Sequence, residues 1–168
     1  AAALAAAGWP VEWRDEIAVA DRSTPAGRPH LDLADSGTGA RLILGLLSVL
    51  PGRATVDGSR RLRERPMAPL LEVLRCLGAR IEAAGGFLPV RVDGDRLAGG
   101  RAAIRPELSS QFVSSLLLAA PLMRQGLELE VAGPLPSAPY LDLTRQVLRA
   151  FGSEVVVSGD RRLWQVPA

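Results

Sequence analysis

No lysine occurs anywhere in the 168 residues; all twenty basic side chains are arginine. Lysine Schiff bases and lysine general bases are therefore excluded, whereas arginine grips phosphates and carboxylates in a bidentate fork and does not readily lose its proton. The single cysteine, Cys76, cannot form an internal disulfide, which predicts a reducing compartment. One histidine, His30, and no paired-ligand spacing argue against a zinc site. Aromatics make up only 4% of the chain, and none is interleaved with the arginines as a nucleic-acid binder would need. The net charge of +2 adds no argument for nucleic acid. The longest apolar run, Leu42 to Leu50, is far short of the roughly 20 residues that cross a bilayer. Apolar Ala1 to Gly8 has no positive leader before it, so no signal peptide is expected. The expectation is a soluble, cytoplasmic protein with no membrane segment. A start at Ala1 rather than Met is the expectation for a fragment or a trimmed chain.

Apolar residues, in contrast, make up 48% of the chain, and Leu, Val and Ala dominate them. That supply suits tightly packed helices and sheets, and 168 residues fit a single domain, 1–168, with a real core. An internal repeat organises it. Leu4 to Ala20, Leu74 to Val92 and Leu148 to Val166 each read as a helix end, a glycine, a short strand, a turn and another short strand. Gly8, Gly78 and Gly152 recur at spacings of 70 and 74 residues. A glycine just past a helix closes it in the left-handed conformation other residues resist.

The intervening stretches match as well. Leu31 to Leu33 and Ala102 to Ile104 read as strands leading to polar turns and then helices, Gly39 to Leu50 and Ser110 to Leu122. Strands at Arg53 to Asp57 and Leu127 to Val131 follow, and further helices start at Pro66 and Pro139, where proline suits the first turn. The unit is βαβαββ, in approximate spans 1–30 (partial), 31–95 and 100–168, and the first copy lacks its first half. Pro66 to Leu77 is amphipathic, but Phe112 to Leu122 and Leu42 to Leu50 are apolar almost all round and must be enclosed by protein. The predicted class is α/β (α+β): three repeats about a common axis, with buried helices inside and half-wet sheets outside.

Four turns collect polar residues ahead of helices. Asp35-Ser36-Gly37-Thr38-Gly39 leads into the helix bearing Arg41, and free amides with the helix dipole attract anions there. An ordinary capped helix reads equally from those five residues. Ser109-Ser110-Gln111 opens the most apolar helix with two hydroxyls and an amide where one cap would suffice. Arg60 to Arg65 reads as a solvated charge run, except that Pro66 fixes Arg65 at a helix start. Ser137-Ala138-Pro139-Tyr140 precedes the last helix and brings the only tyrosine; a cap and turn is its plain reading. Equivalent ends of repeated units converge on one face, so these turns predict a site for a phosphorylated, hydroxylated small molecule. His30 and Cys76 read as structural.

Leu-Arg-Glu-Arg-Pro-Met-Ala-Pro-Leu at 62–70, Ser-Ser-Gln-Phe-Val-Ser at 109–114 and Ser-Ala-Pro-Tyr-Leu-Asp at 137–142 resemble, in order and spacing, the EPSP synthase family. The likeness covers essentially the whole chain. Ser-Ser-Gln-Phe is its most specific part and separates it from the UDP-N-acetylglucosamine enolpyruvyl transferases. The resemblance implies an inside-out α/β barrel lobe of three such repeats, one of two lobes that close over substrate. It implies that Ser109, Ser110, Gln111, Ser137 and Tyr140 hold shikimate 3-phosphate. Gly37, Arg65 and Gln111 would face phosphoenolpyruvate, with Gln111 and Arg65 the catalytic residues and Arg41 structural. No metal or organic cofactor is implied. Asp35 stands where asparagine is usual, Ala138 where lysine is common and Leu42 where proline or phenylalanine is common. The family's Gly-Ser-Lys-Ser segment and its second lobe, with acid-base Asp, Lys, Glu and His, are not in this sequence, so the chain is expected to bind but not turn over alone. A stand-alone binding module is the alternative, and an arginine-rich nucleic-acid binder ranks after it.

Overall fold

The computed structural model describes residues 11–14, 17–20, 29–107, 109–135 and 137–168. Strand β1 (Val11–Arg14) pairs antiparallel with β2 (Ile17–Ala20). These are the strands expected in the first repeat; its helix end and Gly8 lie outside the described residues. Two four-stranded sheets follow. The first contains β3 (His30–Asp32), β4 (Gly52–Asp57), β5 (Arg80–Ala83) and β6 (Val90–Gly94) in the order β3-β4-β6-β5. The second contains β7 (Gly100–Ile104), β8 (Leu127–Val131), β9 (Val156–Val157) and β10 (Leu163–Val166) in the order β7-β8-β10-β9.

The two orders are the same arrangement. In each sheet the first pair is parallel and the other two pairs are antiparallel. A parallel pair needs a crossover, and helices α1 (Gly37–Val49) and α4 (Gln111–Ala119, continued by a 3₁₀ turn at Ala120–Leu122) supply it. A short helix α2 (Arg60–Arg63) and then α3 (Ala68–Cys76) follow β4, and α5 (Ala138–Ala150) follows β8. The expected repeat is thus present twice in full, and no closed barrel forms among the described residues.

Side-chain alternation explains the layers. In β8 Leu127, Leu129 and Val131 are buried while Glu130 is exposed, and in β6 Val90 and Val92 are buried while Arg91 is exposed. One face of each sheet is dry and the other wet. The dry faces cover α1 and α4, the two helices that read as apolar all round; Leu44 of α1 and Phe112, Val113, Leu116 and Leu117 of α4 are fully buried. These helices pack on each other more extensively than any other pair of helices. Gly45 permits it: a β-carbon there would lie 2.6 Å from the Ser115 carbonyl oxygen. Across the same seam the Ser115 hydroxyl donates to the Arg41 carbonyl at 2.6 Å.

Helices α3 and α5 end as the sequence predicts, at Gly78 (φ 102°) and Gly152 (φ 85°), both left-handed. Helix α1 begins at Gly37, earlier than Gly39, because the Ser36 hydroxyl accepts from the Gly39 amide at 3.1 Å and caps the turn.

Candidate functional site

The loop after β3 is fixed before it reaches α1. Leu33 donates its amide to the Asp57 carbonyl at 2.9 Å, and Ser59 donates its amide to the Ala34 carbonyl at 2.9 Å. The start of α1 is therefore tied to the end of β4 and to α2. Within α2, Leu62 is buried and Arg63 clamps Asp57 with two bonds of 2.7 and 2.6 Å, while Arg60 and Arg61 face solvent. Most of the arginine run is thereby spent on solvent and structure. Arg65 is not. Its Nη1 lies where a β-carbon on Gly37 would be 2.6 Å away, so the guanidinium rests directly on the Gly37 backbone.

One helical turn beyond Gly37, Arg41 reaches across to the start of α4. Its Nη1 donates to Gln111 Oε1 at 2.8 Å and to Ser109 Oγ at 3.3 Å. Its guanidinium carbon stands 5.0 Å from the Phe112 ring centroid, and its buried Nε has no hydrogen-bond partner. Gln111 is held from its other end too, since its Nε2 donates to Thr38 Oγ1 at 2.7 Å. The Gln111 amide N–H donates to Ser109 Oγ at 3.2 Å. Gly37, Thr38, Arg41, Arg65, Ser109 and Gln111 form one contiguous cluster joining the starts of two crossover helices.

Electrostatics gives the cluster its character. Burial first, and the neighbouring Arg65 charge second, hold the Arg41 guanidinium below the ordinary arginine range. The two arginine charges are near enough to repel, and among the described residues neither has a carboxylate within salt-bridge distance. Asp35, the acidic residue in the turn, directs its carboxylate to the Ser59 hydroxyl at 2.5 Å. Guanidinium groups without a carboxylate partner among the described residues, beside the starts of α1 and α4, are chemically able to receive an anion.

Of the residues singled out from the sequence, Gly37, Arg65, Ser109 and Gln111 meet here. Ser110 adjoins them at the N-cap of α4, buried, with no side-chain bond into the helix. Ser137 and Tyr140 sit at the start of α5 and make no hydrogen bond to the cluster among the described residues. Ser137 is left-handed (φ 54°), and Tyr140 is 61% exposed. That helix start is linked to α4 through the Ser114 and Thr144 hydroxyls, 2.8 Å apart, with Thr144 donating to the Tyr140 carbonyl. The sequence marks Thr38 only as part of its turn, and the resemblance makes Arg41 structural; their contacts with Ser109 and Gln111 stay hidden there, because those partners lie about 70 positions away in the chain. Among the described residues no three His, Cys, Asp or Glu side chains could hold a metal, and no helix is long and apolar enough to cross a membrane.

The family model for EPSP synthase (3-phosphoshikimate 1-carboxyvinyltransferase) matches residues 8–167. The chain belongs to the EPSP synthase family. It is 34% identical over 151 residues to the 3-phosphoshikimate 1-carboxyvinyltransferase of Bacteroides fragilis, covering 89% of this chain and 37% of that one. With the Methanoculleus marisnigri protein of the same name it shares 41% over 162 residues, 93% of this chain and 38% of the other. The EPSP synthase structure from Acinetobacter baumannii superposes with a TM-score of 0.76 at 27% identity, over 98% of this chain and 37% of that one. This EPSP synthase family member thus spans little more than a third of the length of the curated relatives it matches.

Proposed function

We propose that residues 1–168 form one lobe of an enolpyruvyl transferase, with units at 1–30, 31–95 and 100–168, that binds shikimate 3-phosphate and part of phosphoenolpyruvate. The observation that carries the reading is a pair of guanidinium groups without a carboxylate counter-ion among the described residues, Arg65 against Gly37 at the start of α1 and Arg41 against Ser109 and Gln111 at the start of α4. Two cations beside the positive dipole ends of α1 and α4 suit ligands that bring phosphate and carboxylate together. In this reading Ser109, Ser110, Ser137 and Tyr140 receive the phosphate and ring of shikimate 3-phosphate. Gly37 and Arg65 receive phosphoenolpyruvate, and Gln111 stands between the two ligands.

The reaction adds the shikimate 5-hydroxyl to C2 of phosphoenolpyruvate and then eliminates phosphate from the tetrahedral adduct. Charge stabilisation falls within the reach of Arg65 and Gln111. Proton transfer does not: the cluster holds arginine, serine, threonine, glutamine and glycine, and Asp35 is turned to Ser59. General acid and base must come from a complementary lobe, and the reading needs no metal or organic cofactor. The lone cysteine supports a reducing, cytoplasmic setting.

An NMR titration of the chain with shikimate 3-phosphate, then with phosphoenolpyruvate, tests this. The expected result is shifts confined to Ser109, Ser110, Gln111, Ser137 and Tyr140, then Gly37 and Arg65, with no phosphate release above blank. No shifts at millimolar ligand would sink the substrate assignment.

A further inference from the structure

Among the described residues a single hydrogen bond joins helices α4 and α5, and it lies between two buried hydroxyls. Ser114 and Thr144 are 6% and 8% exposed, with their oxygens 2.8 Å apart. The direction of this bond follows from the next one along. Thr144 Oγ1 also lies 2.8 Å from the Tyr140 carbonyl, which can only accept, so the one threonine hydroxyl proton goes there. The Thr144 oxygen therefore accepts from Ser114, and the chain runs Ser114 to Thr144 to the Tyr140 carbonyl in that order.

The packing of the repeat does not require hydroxyls at this place. Thr144 and Leu70 stand at the same distance before the closing glycines Gly152 and Gly78 of their helices, and Leu70 is fully buried. The other buried side chains of α5 are Leu141 and Leu148, and those of α4 include Phe112, Val113, Leu116 and Leu117. Apolar contacts of this kind are non-directional and tolerate small rotations and slides of one helix on another. A hydroxyl pair does not, because its geometry is narrow and a buried donor left without a partner is costly.

This pin stands one helical turn inside both helix starts that the ligand reading uses. Ser114 donates its amide to the Ser110 carbonyl at 3.0 Å, and Tyr140 donates its amide to the Ser137 carbonyl at 3.0 Å. Ser137 holds a left-handed backbone (φ 54°) without being glycine, and its hydroxyl makes no capping bond to α5. A serine stays in that conformation only where its surroundings impose it, and the placement of α5 is part of those surroundings.

We propose that Thr144 and Ser114 are positioning residues, whose bond sets α5 against α4 so that Ser137 and Tyr140 engage the same ligand as Ser109, Ser110 and Gln111. The proposal rests on the reading of those five residues as the shikimate 3-phosphate site. Neither hydroxyl touches the ligand; both act through the helix starts they join.

The test uses the full chain and its variants Thr144→Val, which keeps the shape without the hydroxyl, Thr144→Ser, which keeps the hydroxyl, Ser114→Ala, and Ser114→Ala combined with Thr144→Val. Each is titrated calorimetrically with shikimate 3-phosphate, then at saturation with phosphoenolpyruvate, beside thermal melts. Thr144→Val and Ser114→Ala are each expected to weaken shikimate 3-phosphate roughly tenfold, with phosphoenolpyruvate affinity within about twofold of the unaltered chain. Thr144→Ser should bind as the unaltered chain does. The double variant should lose little more than either single one, because the pair acts as one contact. Equal loss for both ligands, a lower melting temperature with shikimate 3-phosphate affinity intact, or a Thr144→Ser variant as weak as Thr144→Val would overturn the proposal. If Thr144→Val does not fold, Ser114→Ala decides by the same measure. The Ser137 amide resonance of the ligand-free chain reads the positioning without any ligand: it should move in Ser114→Ala and Thr144→Val and stay in Thr144→Ser. A chain that binds no shikimate 3-phosphate refutes the substrate reading, and that resonance still tests the pin; an unmoved resonance overturns the pin whatever the ligand does.

Discussion

Arg41 donates to the side-chain oxygen of Gln111 at 2.8 Å, although 70 residues separate them in the chain. With Thr38 accepting from the opposite end of the same amide, Gln111 cannot rotate without losing a bond. Removing the guanidinium should therefore act on ligand binding more than on folding. Arg41→Ala is expected to weaken capture of a phosphorylated ligand by roughly 10- to 100-fold, the cost of about 1–3 kcal/mol for a lost charge-assisted bond and a released partner. Calorimetric titration checks it, and an unchanged affinity would show that the amide needs no such clamp.

Gly37 offers a separable perturbation. A methyl group there meets only the movable end of Arg65, so the chain should fold and keep its melting temperature. The guanidinium, however, must leave its place on the backbone. Gly37→Ala is expected to lower phosphoenolpyruvate affinity several-fold while shikimate 3-phosphate binding changes little, and parallel titrations with the two ligands read this out.

Gly45 makes the opposite case. Its missing side chain faces the Ser115 carbonyl, which is backbone and cannot swing aside. Gly45→Ala should push α1 off α4 and cost about 1–3 kcal/mol of stability, measured by urea unfolding. Because the same seam positions Arg41 against Gln111, ligand affinity should fall as well.

Asp57 supplies a pH signature. The hydrogen bonds from Arg63 are the main cause holding its carboxyl below the ordinary aspartate range, against a smaller opposing effect of burial. The folded chain then binds this proton more weakly than the unfolded one, so the stabilisation is complete above about pH 4 and drains away as the pH falls below it. Asp57→Asn should lower the melting temperature by a few degrees at pH 7 and flatten its decline in acid, as followed by thermal melts from pH 7 to 3.

How far the sequence carried these conclusions differs by element. Strand β8 lies at Leu127–Val131 as expected, because alternating Leu-Glu-Leu-Glu-Val leaves only one way to bury its face. The buried character of α4 was equally plain, since Phe112 to Leu122 offers no wet side. Helix α2 was not legible: four residues carrying three arginines form a helical turn only because Ser59 caps it and Leu62 finds a cavity in the core. At the site, Gly37, Arg65, Ser109 and Gln111 stood out through their turns. Arg41 did not, because its role depends on contacts made between units, which no local pattern encodes.

A chain whose cations are all guanidinium has one more consequence. The cluster of Gly37, Thr38, Arg41, Arg65, Ser109 and Gln111 contains no imidazole, thiol or ammonium group. Arginine side chains stay protonated throughout the range in which proteins remain folded. Between slightly acidic and slightly alkaline buffer the pocket therefore presents constant electrostatics, and any variation of anion capture there traces the phosphate monoester's own second ionisation.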